Sequence, residues 1–250
     1  MTADFVRLLE RLGAATWPAE HEEEISGWRL GFTSGVTRRA NSVLPLDWTG
    51  GDLDAAVSEA EARYRARGLA PCFKLTFAAL PEGLEGLLAD RGYRAAGRSR
   101  VMTADAAAMA RACTPAYEVG LAAGPDPVWR AVVWPSDEVP AAEEAVRAGI
   151  VGRIPTPRAF VTVVLDDRPA GTALGAVADG WGCVTAVHTL PAFRRRGVAR
   201  AALGALAGWT AGQGATGLFL QVEADNAAAI ALYEAAGFRW AYDYHYRVLD

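Results

Sequence analysis

The stretch that decides the fold is V-H-T-L-P-A-F-R-R-R-G-V-A-R-A-A-L, residues 187–203. It reads as a strand that runs into a turn, then arginines and a glycine, then an alanine- and leucine-rich helix. The first N–H groups of a helix have no partner within the helix, and its dipole adds about half a positive charge there. Gly197 lets a phosphate approach without a Cβ in the way. The pattern predicts a pyrophosphate or similar polyanion at this helix start; a solvated basic turn is the alternative.

A second junction between a strand and a helix follows at Q-V-E-A-D-N-A-A-A-I-A-L-Y-E-A-A-G-F, residues 221–238. The strand meets the helix start at Asp225 and Asn226. Tyr233 lies one turn before Gly237, where a glycine is expected to end the helix.

Together the two segments resemble the signatures of the GNAT superfamily of N-acetyltransferases. Residues 194–199 match its pyrophosphate loop, Q/R-x-x-G-x-G/A, and residues 226–238 match N-x-x-A-x-x-L-Y-x-x-x-G-F. Residues 115–250 correspond to one whole domain of this kind. The resemblance implies a mixed α/β sheet of the GNAT acyl-CoA N-acyltransferase fold. It also implies acetyl transfer from acetyl-CoA to a primary amine of a small, unidentified acceptor, by direct attack through a tetrahedral intermediate.

The resemblance further implies which residues hold the cofactor. Pantetheine would lie beside residues 183–189 like an added strand, and backbone groups near residues 187–190 would hold the thioester. The expected cofactor-binding residues are Val187, Thr189, Leu190, Arg194, Arg195, Arg196, Gly197, Val198, Ala199, Arg200, Asn226, Ala229 and Tyr233. No metal is expected.

Attack of an amine on a thioester benefits from oxyanion donors, an acid for the thiolate and a base for the ammonium. Tyr233 is the usual acid of the family, and a phenol of pKa about 10 can protonate a strongly basic thiolate; a packed helix tyrosine is the alternative. Cys183 stands where many members carry a basic glutamate, and no carboxylate occurs from residue 181 to 193. His188 and, through water, Glu223 are the remaining catalytic candidates, although structural roles fit both equally well.

The N-terminal half resembles a degenerate copy of the same repeat. L-L-A-D-R-G-Y-R, from Leu87, matches L-Y-E-A-A-G-F-R, from Leu232, at an offset of 145 residues, with Leu88 in place of the tyrosine. The segment before its long helix, residues 43–54, is acidic where the loop should be basic. We therefore expect this half not to bind CoA productively and to shape the acceptor cleft.

The expected organisation is a degenerate N-terminal domain at 1–110 and a catalytic domain at 115–250, with the alanine-rich stretch 104–114 as a linker. A hairpin is expected around Ser34 and Gly35, and another across D-D-R-P-A-G at 166–171. Periodicity and turn residues predict helices at 2–16, 52–67, 81–90, 126–134, 141–149, 197–213 and 227–236, and strands at 27–32, 37–46, 73–77, 98–103, 117–122, 160–165, 172–178, 183–189, 217–223 and 240–248.

Composition limits the function classes. Hydrophobic residues make up 52% and charged residues 22%, as in soluble globular proteins. There is no signal-peptide layout and no apolar run of the about 18 residues that a membrane helix needs, so a cytoplasmic protein without membrane contact is expected. The net charge of −4 disfavours nucleic acid as a partner. The three cysteines form no metal or redox spacing. A homodimer is left open.

One functional alternative also stays open at this point. The chain could be an acyl-CoA-binding regulatory module that has kept the phosphate loop and lost turnover. The missing strand glutamate favours that alternative, whereas the intact Tyr233 and Asn226 favour an enzyme.

Overall fold

The computed structural model describes residues 1–114, 116–135 and 138–250. The helices are α1 (Ala3–Ala15), α2 (Leu53–Arg65), α3 (Leu84–Asp90), α4 (Ala106–Ala112), α5 (Pro127–Val133), α6 (Ala141–Arg153), α7 (Val198–Gly212) and α8 (Ala227–Ala236). The strands are β1 (His21–Ile25), β2 (Trp28–Phe32), β3 (Val43–Leu44), β4 (Cys72–Leu75), β5 (Arg94–Asp105), β6 (Glu118–Ala122), β7 (Arg158–Leu165), β8 (Arg168–Ala178), β9 (Trp181–Thr189), β10 (Gly217–Glu223) and β11 (Arg239–Val248).

The chain divides into two compact units. Unit 1 contains Met1–Arg100, Val146–Arg153 and Tyr242–Asp250, and unit 2 contains Val101–Ala145 and Ile154–Ala241. The last nine residues, which the sequence assigned to the C-terminal domain, therefore pack within unit 1. They belong to β11, whose residues 245–248 pair antiparallel with β4.

Unit 1 carries the strand order β1-β2-β3-β4-β11-β5. Its hairpin joins β1 to β2 through Ser26 and Gly27, both at positive φ. The hairpin expected around Ser34 and Gly35 is therefore wrong, and residues 38–40 form a 3₁₀ turn instead of a strand. The acidic strand H-E-E-E-I was missed because edge strands often carry charges that block further pairing.

Unit 2 carries the order β5-β10-β9-β8-β7-β6. The strands β6 to β9 form an antiparallel meander, and β10 then adds parallel to β9. The turn between β7 and β8 consists of Asp166 and Asp167, both at positive φ, as two-residue hairpin turns require. This hairpin was predicted correctly from its turn residues.

Helix α7 lies at the centre of the unit 2 core. Its buried residues, among them Leu203 and Leu206, share one apolar cluster with Val161, Ala173 and Leu218 of the sheet. This packing fixes the start of α7 relative to the end of β9.

The stretch 104–114 is a helix and not the expected linker. Asp105 caps α4 by accepting the N–H of Ala108 at 2.6 Å, and Met109 and Cys113 are buried. The alanine-rich face packs so closely on α7 that a Cβ built on Gly204 would lie 1.7 Å from the carbonyl oxygen of Cys113. Alanines read as a featureless linker in the sequence because small side chains are what a close helix crossing requires.

The repeated octapeptides adopt the same local structure in each unit. In α8, Gly237 has a φ of +111°, and Phe238 donates its N–H to the Tyr233 carbonyl at 3.0 Å. In α3, Tyr93 donates to the Leu88 carbonyl at 3.0 Å in the same cap. Both are Schellman caps, in which a glycine turns left-handed and the next apolar residue folds back.

No helix among the described residues combines the length and apolar character needed to cross a bilayer.

Gly204→Ala should destabilise the protein strongly, because its new methyl group would collide with backbone and not with a movable side chain. We expect a loss of about 3 kcal/mol in the free energy of unfolding. Gly208→Ala, four residues later on α7, is the matched control, since a Cβ there meets nothing within 4 Å. This variant should gain about 0.5–1 kcal/mol from helix propensity. Urea denaturation measures both, and similar values for the two variants would contradict the close α4–α7 crossing.

Candidate functional site

The site begins where two parallel strands stop pairing. The ladder between β9 and β10 runs from Trp181 opposite Gly217 to Val184 opposite Leu220, and it ends there. Both strands continue, β9 to Thr189 and β10 to Glu223. The edge of β9 that faces β10 is therefore unpaired over residues 185–189, and it offers backbone donors and acceptors to an extended ligand.

The turn between β9 and α7 presents N–H groups to the same region. Gly197 caps α7 with a φ of +83°, and no side chain accepts from the first turn of the helix. Arg195, two residues earlier, is also left-handed, with a φ of +63°. Alternating right- and left-handed residues before an uncapped helix start make a concave surface that binds anions. The backbone therefore suits a diphosphate, as the loop motif predicted.

The three consecutive arginines have different partners. Arg196 pairs with Asp166, with Nη1 and Oδ2 3.0 Å apart. Arg194 has only a weak contact, from Nε to the Thr189 carbonyl oxygen at 3.4 Å. Arg195 is exposed and pairs with no carboxylate in the described part of the chain. Arg194 and Arg195 are thus the two guanidinium groups of the loop that are most available to an anion.

Arg200 has a structural role that the sequence did not reveal. Its guanidinium donates to the carbonyl oxygens of Ala112 and Ala235, at the C-terminal ends of α4 and α8. A cation at a helix C-terminus also complements the negative end of the dipole. Arg200 therefore ties three helices together in this structure.

Tyr117 is a residue of the loop that sequence reasoning missed as part of the site. Its hydroxyl donates to the Arg196 carbonyl oxygen, and its ring is the nearest group to a Cβ built on Gly197, at 3.9 Å. Tyr117 therefore holds the turn in place from below. No local sequence signal links it to a loop 79 residues away.

Tyr233 lies in one apolar cluster with the predicted site residues Val187, Leu190, Val198 and Ala229. It is 9% exposed and packs edge-on against Phe238, with ring centroids 5.9 Å apart. Burial raises the pKa of its phenol to about 12. No described group hydrogen-bonds its hydroxyl, so the proton is free to be given to a ligand.

A β-bulge in β9 decides where His188 faces. Leu174 of β8 lies opposite Thr185, but Thr172 lies opposite His188, so two residues of β9 oppose Ala173 alone. Cross-strand partners share a face of a sheet. His188 therefore shares the face of Thr172 and Leu174, which α5 covers, as the edge-on contact of Trp129 with Phe160 shows.

The His188 ring is half-buried, and its Nε2 has no hydrogen-bond partner among the described residues. Burial lowers the pKa of His188, the Arg194 charge adds to that effect, and the Glu138 carboxylate opposes it. Glu138 follows α5 and was not identified from the sequence, where no motif distinguishes it. A lowered pKa keeps the imidazole neutral at neutral pH and therefore able to accept a proton.

The remaining predicted residues lie at the end of β10. Asn226 caps α8, since its side-chain oxygen accepts the Ala229 N–H at 3.0 Å. Glu223 is exposed at the last position of β10. The structure therefore brings together the loop, Tyr233 and the open edge of β9, whereas it gives Asn226 a helix-capping role and leaves Glu223 in solvent.

Unit 1 has filled the corresponding positions with its own chain. Asp52 caps α2 by accepting the N–H groups of Asp54 and Ala55, so a carboxylate already occupies that helix start. Beside β3, the Pro45 carbonyl accepts the Leu80 N–H at 2.8 Å. The backbone edge that lies open in unit 2 is therefore paired here.

Metal binding has no visible basis in the described ranges, where no three His, Cys, Asp or Glu side chains converge.

Comparison with known proteins agrees with this geometry. The family model described as "Probable histone acetyltransferase Rv0428c C-terminal" matches residues 2–247. The uncharacterized N-acetyltransferase YobR of Bacillus subtilis is 32% identical over 251 residues, which cover 98% of this chain and 99% of YobR.

Solved structures agree on the fold. A GCN5-related N-acetyltransferase from Kribbella flavida superposes with a TM-score of 0.69 at 15% identity, over 98% of this chain and 95% of that one. A tandem GNAT protein from the clavulanic acid biosynthesis pathway gives 0.68 at 14% identity, over 96% and 87%. The predicted GNAT fold is confirmed. The chain belongs to the Rv0428c C-terminal family of the GNAT superfamily, and it is an N-acetyltransferase.

Proposed function

We propose that unit 2 binds acetyl-CoA along the open edge of β9 and transfers its acetyl group to the primary amine of a small acceptor. The observation that carries the proposal is the early end of the β9–β10 ladder beside an uncapped helix start. Pantetheine, with its two amides, would pair with residues 185–189 as a strand does. The diphosphate would bind the N–H groups of Val198 and Ala199, with Arg194 and Arg195 neutralising its charge.

Tyr233 would act as the general acid for the departing CoA thiolate. Its raised pKa keeps the phenol protonated throughout the physiological range, so the donor is always loaded. Its hydroxyl has no competing partner among the described residues. The apolar cluster around it would also exclude water from the thioester.

His188 would accept the proton that the attacking ammonium loses, with Glu138 stabilising the imidazolium that results. Glu223 is the weaker candidate because it is exposed and would have to act through water. Cys183, which stands at the usual position of the base, is buried and cannot take this role as a thiol.

The absence of a strand carboxylate bears on the acceptor. A lysine side chain, of pKa about 10.4, needs a strong base to become nucleophilic, whereas an α-amino group of pKa about 8 needs far less help. We therefore favour a small acceptor with a weakly basic amine. The alternative of a CoA-binding module without turnover is not favoured, since the relatives are N-acetyltransferases.

Gly197→Glu should abolish acetyl-CoA binding in a folded protein, because a carboxylate would face the diphosphate. We expect the dissociation constant measured by calorimetry to rise by at least about 100-fold. Gly214→Glu is the matched control: Gly214 also has a positive φ, of +79°, and a Cβ there meets nothing within 4 Å. Equal affinities of the two variants would contradict the phosphate assignment, and no uptake by the wild type would contradict the proposed function.

Tyr233→Phe should lower kcat on the order of 100-fold, as expected for loss of a general acid. The affinity for acetyl-CoA should stay nearly unchanged, because the ring keeps its packing. Thermal stability should also stay unchanged, since no described group bonds the lost hydroxyl. Stopped-flow release of free thiol measures kcat, and full activity of the variant would eliminate Tyr233 as the acid.

Acceptors with an α-amino group should be acetylated faster than lysine side chains. Their rate should rise with pH to a plateau near the amine pKa of about 8. Deprotonation of Tyr233 should not cause a decline below about pH 11, because its pKa is about 12. The panel should contain amino-acid amides and a histone-tail peptide with a blocked N-terminus, with products read by mass. Preference for the peptide lysines would refute the acceptor class.

A further inference from the structure

The bulge in β9 is held by two side chains that lie outside every recognised motif. Ala186, at the bulge, has a φ of +51°, a conformation that costs an alanine on the order of 1 kcal/mol. Such a residue persists only when its surroundings impose the conformation. The surroundings here are specific hydrogen bonds and not tight packing alone.

Thr172 supplies the first of these bonds. Its side chain is fully buried on β8, and its hydroxyl donates to the Ala186 carbonyl oxygen at 3.3 Å. A carbonyl displaced from the ladder by a bulge would otherwise be a buried acceptor without a partner, at a cost of about 1–3 kcal/mol.

Trp129 supplies the second bond from the opposite strand position. Its indole Nε1 donates to the carbonyl oxygen of Ala173 at 3.2 Å. Ala173 is the single residue that faces the two bulged residues of β9. Both strands therefore satisfy at the bulge, through side chains, the carbonyls that regular pairing would have satisfied through backbone.

The bulge also sets which N–H groups reach the open edge. Leu190 donates its N–H to Ala170 on the β8 side, at 3.0 Å. Because N–H groups alternate along a strand, those of Thr189 and Val187 point the other way, toward the unpaired edge. The carbonyl of a thioester that lies on this edge would meet these donors.

We propose that Thr172 and Trp129 are positioning residues that lock the bulge and so aim the Val187 and Thr189 N–H groups at the thioester carbonyl. The inference rests on the proposed binding of acetyl-CoA along β9. The two side chains touch neither cofactor nor acceptor. They act through the backbone of β9 alone.

A pair of ligands isolates this effect without an acceptor. Acetyl-CoA carries the thioester carbonyl, whereas S-ethyl-CoA, a thioether, has the same shape without that oxygen. Calorimetry on the wild type should give a dissociation constant about 5-fold lower for acetyl-CoA, the worth of one net hydrogen bond. In Thr172→Val this ratio should fall to about 1, while the affinity for S-ethyl-CoA stays unchanged.

Two controls separate the lock from general damage. Thr210→Val, on α7, also removes a buried hydroxyl from unit 2, but that hydroxyl has no hydrogen-bond partner among the described residues. This variant should keep the wild-type ratio. Thr172→Ser retains the donor and should restore it. Where Thr172→Val does not fold, Trp129→Phe removes the indole donor, keeps an aromatic ring, and should lower the ratio in the same way.

Each outcome decides one point. If the wild type takes up neither ligand, the proposed function fails and the lock fails with it. If the wild type binds both ligands equally, the N–H groups do not hold the carbonyl and the inference is overturned while cofactor binding stands. If Thr172→Val keeps the ratio as Thr210→Val does, the hydroxyl does not position the bulge. A lost ratio that serine restores supports the lock.

Discussion

The loss of pairing between β9 and β10 beyond Val184 and Leu220 is the constraint on which the site depends. Unpaired backbone within a folded unit is costly unless water or a ligand satisfies it. Here the strands diverge just where β9 enters the turn before α7, so the open edge leads directly to an uncapped helix start. An elongated ligand with amides at one end and phosphates at the other is complementary to both features at once.

The two units show how little change removes such a site. A glycine caps α7 and leaves its N–H groups free, whereas Asp52 caps α2 and takes up two of them. The Leu80 N–H fills the edge that remains open in the other unit. Stability and binding compete for the same backbone groups, so a repeat that satisfies them internally gains a well-formed cap and loses its ligand. Conserved Schellman caps after Leu88 and Tyr233 nevertheless keep the common architecture visible.

The elements that carry the motifs were predictable from sequence to within about two residues, because their local signals agree with their tertiary environment. Gly197 and Gly237 mark helix ends by backbone conformation alone, and β10 is a continuous apolar run. Signals failed where a neighbour decides the structure. Helix α4 needs small residues to cross α7, and β1 needs charges at a sheet edge, so one resembled a linker and the other a loop. The long-range bond from Tyr117 to the loop had no local signal at all.

The bulge shows most clearly what alternation cannot predict. In a regular strand His188 would share the face of Val184, which packs in the apolar core with α7. The extra residue at the bulge moves His188 to the face of Cys183 and leaves Val187 in the core cluster. A histidine in that core would lose its hydration without gaining a partner. On the α5 face it comes under the influence of Glu138 instead. A carboxylate absent from the strand can thus act on the site from a different element, and the position of Cys183 no longer decides whether a base is present.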